Sequence, residues 1–258
     1  MDLLDRAAEL RRLHDAPELL TVVNVWDPSG ARVVSDQRGC RAIATASHAI
    51  AAAHGYPDGE QIPLDLVLTA TGRIVDAVDL PVTADLEAGY GDSETTVRRA
   101  ISLGVVGGNI EDEMVPLADA VERMSGAIRA GAAEGVEFVL NARTDAYARA
   151  GDRDPDDVFA DAVERGQAFL DVGATCVFVP GVRDAEIIGR LVEAIGERKV
   201  SVLVGPGSPS LAELTDLGVA RVSCGPWAHR HTLNALADLA TGLLAGTGEI
   251  PAGTRPLG

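Results

Sequence analysis

Eight short apolar runs punctuate the chain, each followed by a segment of helical periodicity, and this eightfold alternation restricts the fold more than any other feature. The runs are LLTVVNV (19–25), RAIAT (41–45), LPVTAD (80–85), GVVGGNI (104–110), VEFVLNA (136–142), ATCVFVP (174–180), KVSVLVG (199–205) and VARVSCG (219–225). They are continuously apolar rather than alternating, as expected of parallel strands covered on both faces. Helical patterns occupy 28–37, 62–77, 93–103, 117–133, 154–170, 184–196, 208–217 and 228–245. The clearest is 154–170, where Val158, Ala162, Val163, Gly166, Phe169 and Leu170 recur at helical spacing behind an Asp-Pro start. Strand then helix, eight times over, predicts an α/β fold: a (β/α)8 TIM barrel formed as one domain over residues 1–258. A doubly wound open sheet would need fewer units and usually carries a glycine-rich phosphate turn after its first strand. Residues 1–15 read as an extra N-terminal amphipathic helix, and the tail GTGEIPAGTRPLG as a loop or an arm on a neighbouring subunit.

Charge narrows the partners. With 22 Lys plus Arg against 39 Asp plus Glu, the net charge of −17 argues against nucleic acid and anionic membrane. The N-terminal stretch mixes acids and bases through its apolar positions, so it reads as neither a secretory signal nor a membrane span, and a cytoplasmic location is expected. Cys40, Cys176 and Cys224 are odd in number and far apart, matching neither a disulfide framework nor a zinc pair.

In a barrel, side chains at the carboxyl ends of the strands converge on one mouth. The second run ends in Thr45, Ala46, Ser47 and His48; the third in Asp85 and Glu87; the fourth in Glu111 and Asp112; the fifth in Asn141, Arg143 and Asp145. Acids so crowded repel one another unless protons or a cation intervene, and an all-oxygen set suits a hard ion such as Mg2+. Period-two alternation sends Asp85 and Glu87 to the same side. Acidic loops that merely cap helices are the plainer alternative, and Asp92 with Ser93 fits one. Arg143 is either a structural salt-bridge partner of these acids or a fork for a substrate carboxylate. Backbone N–H groups of Ser47, His48 and Ala49 open a helix and offer an anion cradle, as does GPGSPS (205–210) more weakly.

The motifs NVWDPSGAR (24–32), SHAIAAAHGYPDGE (47–60), PVTADLEAGYGD (81–92), GGNIEDE (107–113), NARTDAY (141–147) and CVFVPG (176–181) together resemble the phosphoenolpyruvate mutase and isocitrate lyase superfamily. The resemblance covers nearly the whole barrel. It implies a Mg2+-dependent (or Mn2+-dependent) enzyme acting on a small 2-oxo or 2-hydroxy acid through an enolpyruvate-like species. Asp85 would then be the direct metal ligand, with Asp58, Glu87 and Glu111 holding metal-bound water. Arg143, Ser47, His48 and Trp26 would bind the pyruvate-like end, with Arg143, Asp58 and Glu111 as the catalytic set. It also implies a homotetramer, a dimer of dimers, built by exchange of the last helix (228–245).

Two departures bear on the reaction. Lyases of this superfamily carry a Cys-containing lid after the Glu-Asp pair, and phosphonate mutases a Lys-Thr-Asn type of lid. Here Glu113 runs through MVP almost straight into LADAVERM. His48 stands where the superfamily commonly has Gly. Decarboxylation of an oxaloacetate-like acid needs little beyond the metal, so a carbon–carbon lyase of that form is expected first. A methylisocitrate- or isocitrate-type lyase with a base such as His48 or His229 ranks next, then phosphonopyruvate hydrolase or mutase chemistry. A 2-oxo-acid-binding protein with little catalysis is the alternative outside enzymes.

Overall fold

The computed structural model describes residues 1–254 of the chain. Helix α1 (Leu3–Asp15) leads into strands β1 (Leu20–Val22) and β2 (Asn24–Val25), followed by α2 (Pro28–Ser35), β3 (Ile43–Thr45), α3 (Ser47–Ala53) and α4 (Leu64–Asp76). Then come β4 (Val82–Asp85), α5 (Ser93–Ser102), β5 (Gly107–Glu111), α6 (Leu117–Ala133), β6 (Val139–Arg143) and α7 (Pro155–Asp171). The last elements are β7 (Cys176–Phe178), α8 (Ala185–Ile195), β8 (Val200–Leu203), α9 (Leu211–Asp216), β9 (Arg221–Ser223) and α10 (Trp227–Leu244).

Every strand pairs in parallel with its neighbours, in the order β1-β9-β8-β7-β6-β5-β4-β3-β2. The first apolar run is interrupted at Val23, so its lower half (β1) binds β9 and its upper half (β2) binds β3. One broken stave thus closes the ring, and the expected (β/α)8 barrel is the fold. Asn24 stitches the seam above the break: its amide donates to the Thr45 carbonyl (2.8 Å) and its Oδ1 accepts from the Gly225 N–H (2.7 Å).

Several Asp residues cap helices. Asp27, Asp92, Asp154 and Asp184 accept backbone N–H groups at the starts of α2, α5, α7 and α8, and Pro28 and Pro155 occupy first-turn positions. Ser210 and Glu213 form a capping box on α9, so the GPGSPS turn spends its cap on its own helix. The expected helix boundaries therefore hold to within a few residues.

Beneath the barrel lies α1, which buries Ala7, Leu10, Leu13 and His14 at helical spacing. It reaches the strands because β5 begins with glycine: a Cβ on Gly107 would lie 2.7 Å from Leu10 Cδ2 and 2.8 Å from the Val139 carbonyl oxygen. At the other end of the chain α10 buries only His229. Leu233, Leu236 and Leu243 along it are 49%, 59% and 45% exposed. No helix among the described residues is long and apolar enough to cross a membrane. The tail from Gly246 to Thr254 forms no helix or strand, and the rest of that expected loop or arm, 255–258, lies outside the described residues.

Gly107→Ala should loosen the α1 floor by overpacking and cost about 1–3 kcal/mol of stability, read by urea unfolding. An unchanged midpoint would show that α1 is not seated as described.

Candidate active site

Asp85 ends β4 at the barrel mouth. Its Oδ2 accepts from the Ser47 hydroxyl (2.8 Å) and, more loosely, the Ser47 N–H (3.3 Å), while its own N–H donates to Thr45 Oγ1 (2.9 Å). One N–H of the expected cradle at the start of α3 is thus taken by the protein's own carboxylate. Nor is Ala49 free to join an anion cradle, because its N–H bonds the Ala46 carbonyl (3.1 Å). Ser47 therefore orients Asp85, and Asp85 Oδ1 is left buried with no partner among the described residues. A buried carboxylate oxygen without a partner is costly unless something outside the chain meets it.

Glu87 follows in a left-handed backbone conformation (φ 51°), as do Tyr90 (53°) and Glu60 (58°). Such angles are strained for these residues and mark places that the surroundings over-determine. The surroundings here are a reciprocal clamp. The Glu60 N–H donates to Glu87 Oε2, the Tyr90 hydroxyl to Glu87 Oε1 (3.0 Å), and the Tyr90 N–H to Glu60 Oε1 (2.7 Å). Glu60 and Tyr90 went unrecognised in the sequence; their signal was only their place inside GYPDGE and EAGYG. Gly89 permits the turn, since a Cβ there would lie 2.8 Å from Ser93 Cα. Burial and the Asp85 charge push the Glu87 carboxyl up to about 7.

Across the mouth Arg143 makes two ion pairs, Nη1 to Glu111 Oε2 (2.6 Å) and Nε to Asp145 Oδ1 (2.7 Å). The structural reading of Arg143 is therefore present, and a guanidinium with five N–H donors retains others for a ligand. Burial would lower its pKa, but the Glu111 and Asp145 charges outweigh this and raise it. Burial pushes Glu111 up to about 8; Arg143 pulls it down, while Asp145, Asp85 and Glu87 push it further up.

Two further arginines reach the neighbouring acids. Arg149 reaches Asp145 Oδ2 (3.2 Å), and Arg165 on α7 reaches Asp112 Oδ2 (3.1 Å). Asp112 does not join the mouth cluster. It is 0% exposed, tied to Arg165 and accepting the N–H groups of Met114 and Asp145 (both 3.0 Å). Its role is to shape the turn after β5. That turn, from Asp112 to Pro116, is short; Glu113 and Met114 take φ of 48° and 59°, and α6 begins at Leu117. Arg123 fastens it through the Glu111 carbonyl (2.7 Å) and Glu113 Oε2 (3.1 Å).

On the far rim, Trp26 packs edge-on against His229 (4.7 Å between ring centroids), and His48 lies 6.4 Å from His229. Asp58 is exposed, with Oδ2 3.8 Å from His48 Nδ1. Burial and the neighbouring His48 lower the pKa of His229. The three sequence-named groups Asp85, Glu87 and Glu111 are thus gathered with Arg143, whereas Asp58 stands at the rim beside His48.

Among the described residues no three acidic, His or Cys side chains converge as a ready-made metal site. The donor set nonetheless fits a hard dication that keeps most of its water. Asp85 Oδ1 is free for direct contact, and Glu87 and Glu111, already partnered, retain lone pairs for bound water.

The sequence matches the phosphoenolpyruvate phosphomutase family over residues 10–244. The chain belongs to this family. Within the superfamily it is 28% identical to 2,3-dimethylmalate lyase of Eubacterium barkeri, over 93% of this chain and 86% of that one. It is 26% identical to oxaloacetate decarboxylase of Paraburkholderia xenovorans, over 88% and 77%. A solved protein of Burkholderia cenocepacia J2315, provisionally assigned as a phosphonomutase, superposes with a TM-score of 0.87 at 36% identity, covering 93% of this chain and 99% of that one. Lyases and mutases therefore share this scaffold, and the family by itself leaves the reaction open.

In this family member the crowded acids impose a pH signature. A Glu whose folded pKa is raised from 4.5 to about 7 or 8 keeps its proton in the folded state after the unfolded chain has lost it. Its stabilising contribution is full below 4.5 and lost as pH rises through the folded value. His14, lowered to about 3 mainly by burial, acts in the opposite sense but only below its unfolded value of 6.5. In chelator, thermal and urea unfolding should therefore show stability falling by about 1–2 kcal/mol between pH ~6.5 and ~8. Glu111→Gln should remove much of that fall, and an identical slope in the variant would refute the assignment.

Proposed function

We propose that the chain is a cytoplasmic, divalent-cation-dependent lyase that cleaves a carbon–carbon bond of a 2-oxo or 2-hydroxy dicarboxylic acid. Decarboxylation of an oxaloacetate-like acid is its simplest form. The observation that carries this reading is the short turn at Asp112–Pro116 beside the acidic mouth: Asp112 is buried on Arg165, Glu113 is paired with Arg123 and Arg149, and Met114, Val115 and Pro116 carry no acid or base. Similarity to oxaloacetate decarboxylase and 2,3-dimethylmalate lyase supports it.

A bound Mg2+ or Mn2+ would supply Lewis-acid polarisation of the 2-oxo group. Asp85 Oδ1 is the protein atom free to hold it, aimed by Ser47. Glu87 and Glu111 would hold its water, with Asp58 closing the set from the rim. Arg143, kept charged and oriented by Glu111 and Asp145, offers its remaining N–H groups to the substrate carboxylate and to the oxygen on which charge accumulates. His48 and Trp26 line the side from which the acid enters. Loss of CO2 leaves an anion that takes its proton from water admitted by the open mouth.

A second reading is favoured by the neighbouring rings of His48 and His229: retro-aldol cleavage of a larger hydroxy acid, with one imidazole as base. Turnover of oxaloacetate, methylisocitrate and phosphonopyruvate with Mg2+ separates these readings. Calorimetric binding of pyruvate with no turnover of any of the three would point instead to a binding protein.

Asp85→Ala should abolish turnover with the fold intact by circular dichroism, and excess chelator should do the same to the wild type. Replacing Met114, Val115 and Pro116 together by Gly or Ser should change kcat/KM less than about tenfold, whereas Arg143→Ala should cost about a hundredfold or more. A turn variant as inactive as Arg143→Ala would make the turn a working lid and end the decarboxylase reading.

The exposed leucines of α10 support a tetramer in which that helix packs on a neighbouring subunit. Light scattering should report four chains at micromolar concentration; a stable monomer contradicts the exchange.

A further inference from the structure

Arg221 lies inside the barrel, with no ion-pair partner among the described residues. Strand register places it there. Arg143 is level with Phe178, Phe178 with Ser201 and Ser201 with Arg221, so all four side chains share the face that Arg143 presents to the mouth. Arg221 is 1% exposed, and its Nε and Nη1 have no hydrogen-bond partner among the described residues. Its pKa is lowered to about 10, first by burial, so it keeps its charge at neutral pH, while burial pushes the nearby Cys176 thiol up to about 12 and leaves it neutral. The charge it feels from above is that of Asp85.

The same interior face carries other polar atoms without partners among the described residues: Thr83 Oγ1, Asn141 Oδ1, Ser201 Oγ and Asp85 Oδ1. Together with Arg221 they comprise donors, acceptors and hydroxyls that can serve as either. A small anion would satisfy the guanidinium but would be repelled by Asn141 Oδ1 and Asp85 Oδ1. Water satisfies both kinds.

We infer that Arg221 is a cation set beneath the active site, hydrated by a column of ordered water inside the barrel that reaches up to Asp85, and that its field opposes the divalent cation while favouring an anionic ligand. The inference deepens the lyase reading and rests on it. Such a charge lowers the affinity of the resting site for metal and raises that of the loaded site for the carboxylated substrate and the anion formed from it.

The test uses Mn2+ as the metal probe, titrated by electron paramagnetic resonance, and oxalate, a planar dianion, as the second ligand, titrated by calorimetry onto the Mn2+-loaded protein. Arg221→Met removes the charge at similar length. It should bind Mn2+ at least about threefold more tightly and oxalate at least about threefold more weakly, with Arg221→Lys within about twofold of wild type for both. Damage to the fold would weaken both ligands together, so shifts in opposite directions identify the field. Shifts in the same direction, or none, overturn the inference and leave the lyase reading standing. A wild-type protein that binds no Mn2+ overturns the lyase reading and this inference with it. A high-resolution crystal structure of the wild type checks the column without any variant. Waters on Arg221 Nε and Asn141 Oδ1 support it, and a dry interior, or bromide at Arg221 after soaking, refutes it.

Discussion

Carboxylates crowded at one end of a barrel repel one another, and the architecture of this mouth is a set of answers to that repulsion. Asp85 is met by the hydroxyl and N–H of Ser47, Glu87 by the Glu60 N–H and the Tyr90 hydroxyl, and Glu111 and Asp145 by Arg143. Where those answers fall short, the residual repulsion and burial appear as raised carboxyl pKa values at Glu87 and Glu111. One oxygen, Asp85 Oδ1, receives no answer from the described residues. That is the property expected of a position kept for a metal ion.

The supporting groups come from distant parts of the chain. The clamp on Glu87 brings the GYPDGE loop to the EAGYG turn, at the expense of three non-glycine residues in left-handed geometry. Asp112, adjacent in sequence to Glu111, faces the other way and binds Arg165 from a helix more than fifty residues on. Alternation along β5 explains the split: consecutive residues at a strand end point to opposite sides, one into the mouth and one toward the helices. The same pair of residues thus places one carboxylate at the mouth beside Arg143 and one on Arg165, where it pins the turn that leads into α6.

Below the mouth, the interior is less well matched than the core outside the strands. Outward-facing residues such as Ile110, Leu140, Ala142 and Val177 are fully buried apolar groups packed against helices. Inward-facing ones include Thr83, Asn141, Ser201 and Arg221, each with a polar atom unpaired among the described residues. A barrel of short strands closed below by α1 and open above can accommodate a hydrated interior, whereas the layer between strands and helices cannot.

Local signals in the sequence determined the elements and their order. Eight apolar runs, Asp and Ser caps with Pro in the first turn, and glycines at Gly89 and Gly107 act over a few residues, so parallel staves and covering helices were legible from the chain alone. The motifs around Asp85, Glu111 and Arg143 placed the mouth, because strand ends in a barrel converge wherever they lie in sequence. Only the tertiary structure decided which acids face that mouth, that Ser47 bonds Asp85, that Glu60 and Tyr90 clamp Glu87, and that Arg221 has no ion-pair partner among the described residues. Those facts depend on register and on which loop meets which, set by packing between segments far apart in the chain. No window of sequence contains both partners of such a contact, and a residue's type does not say whether its partner is present.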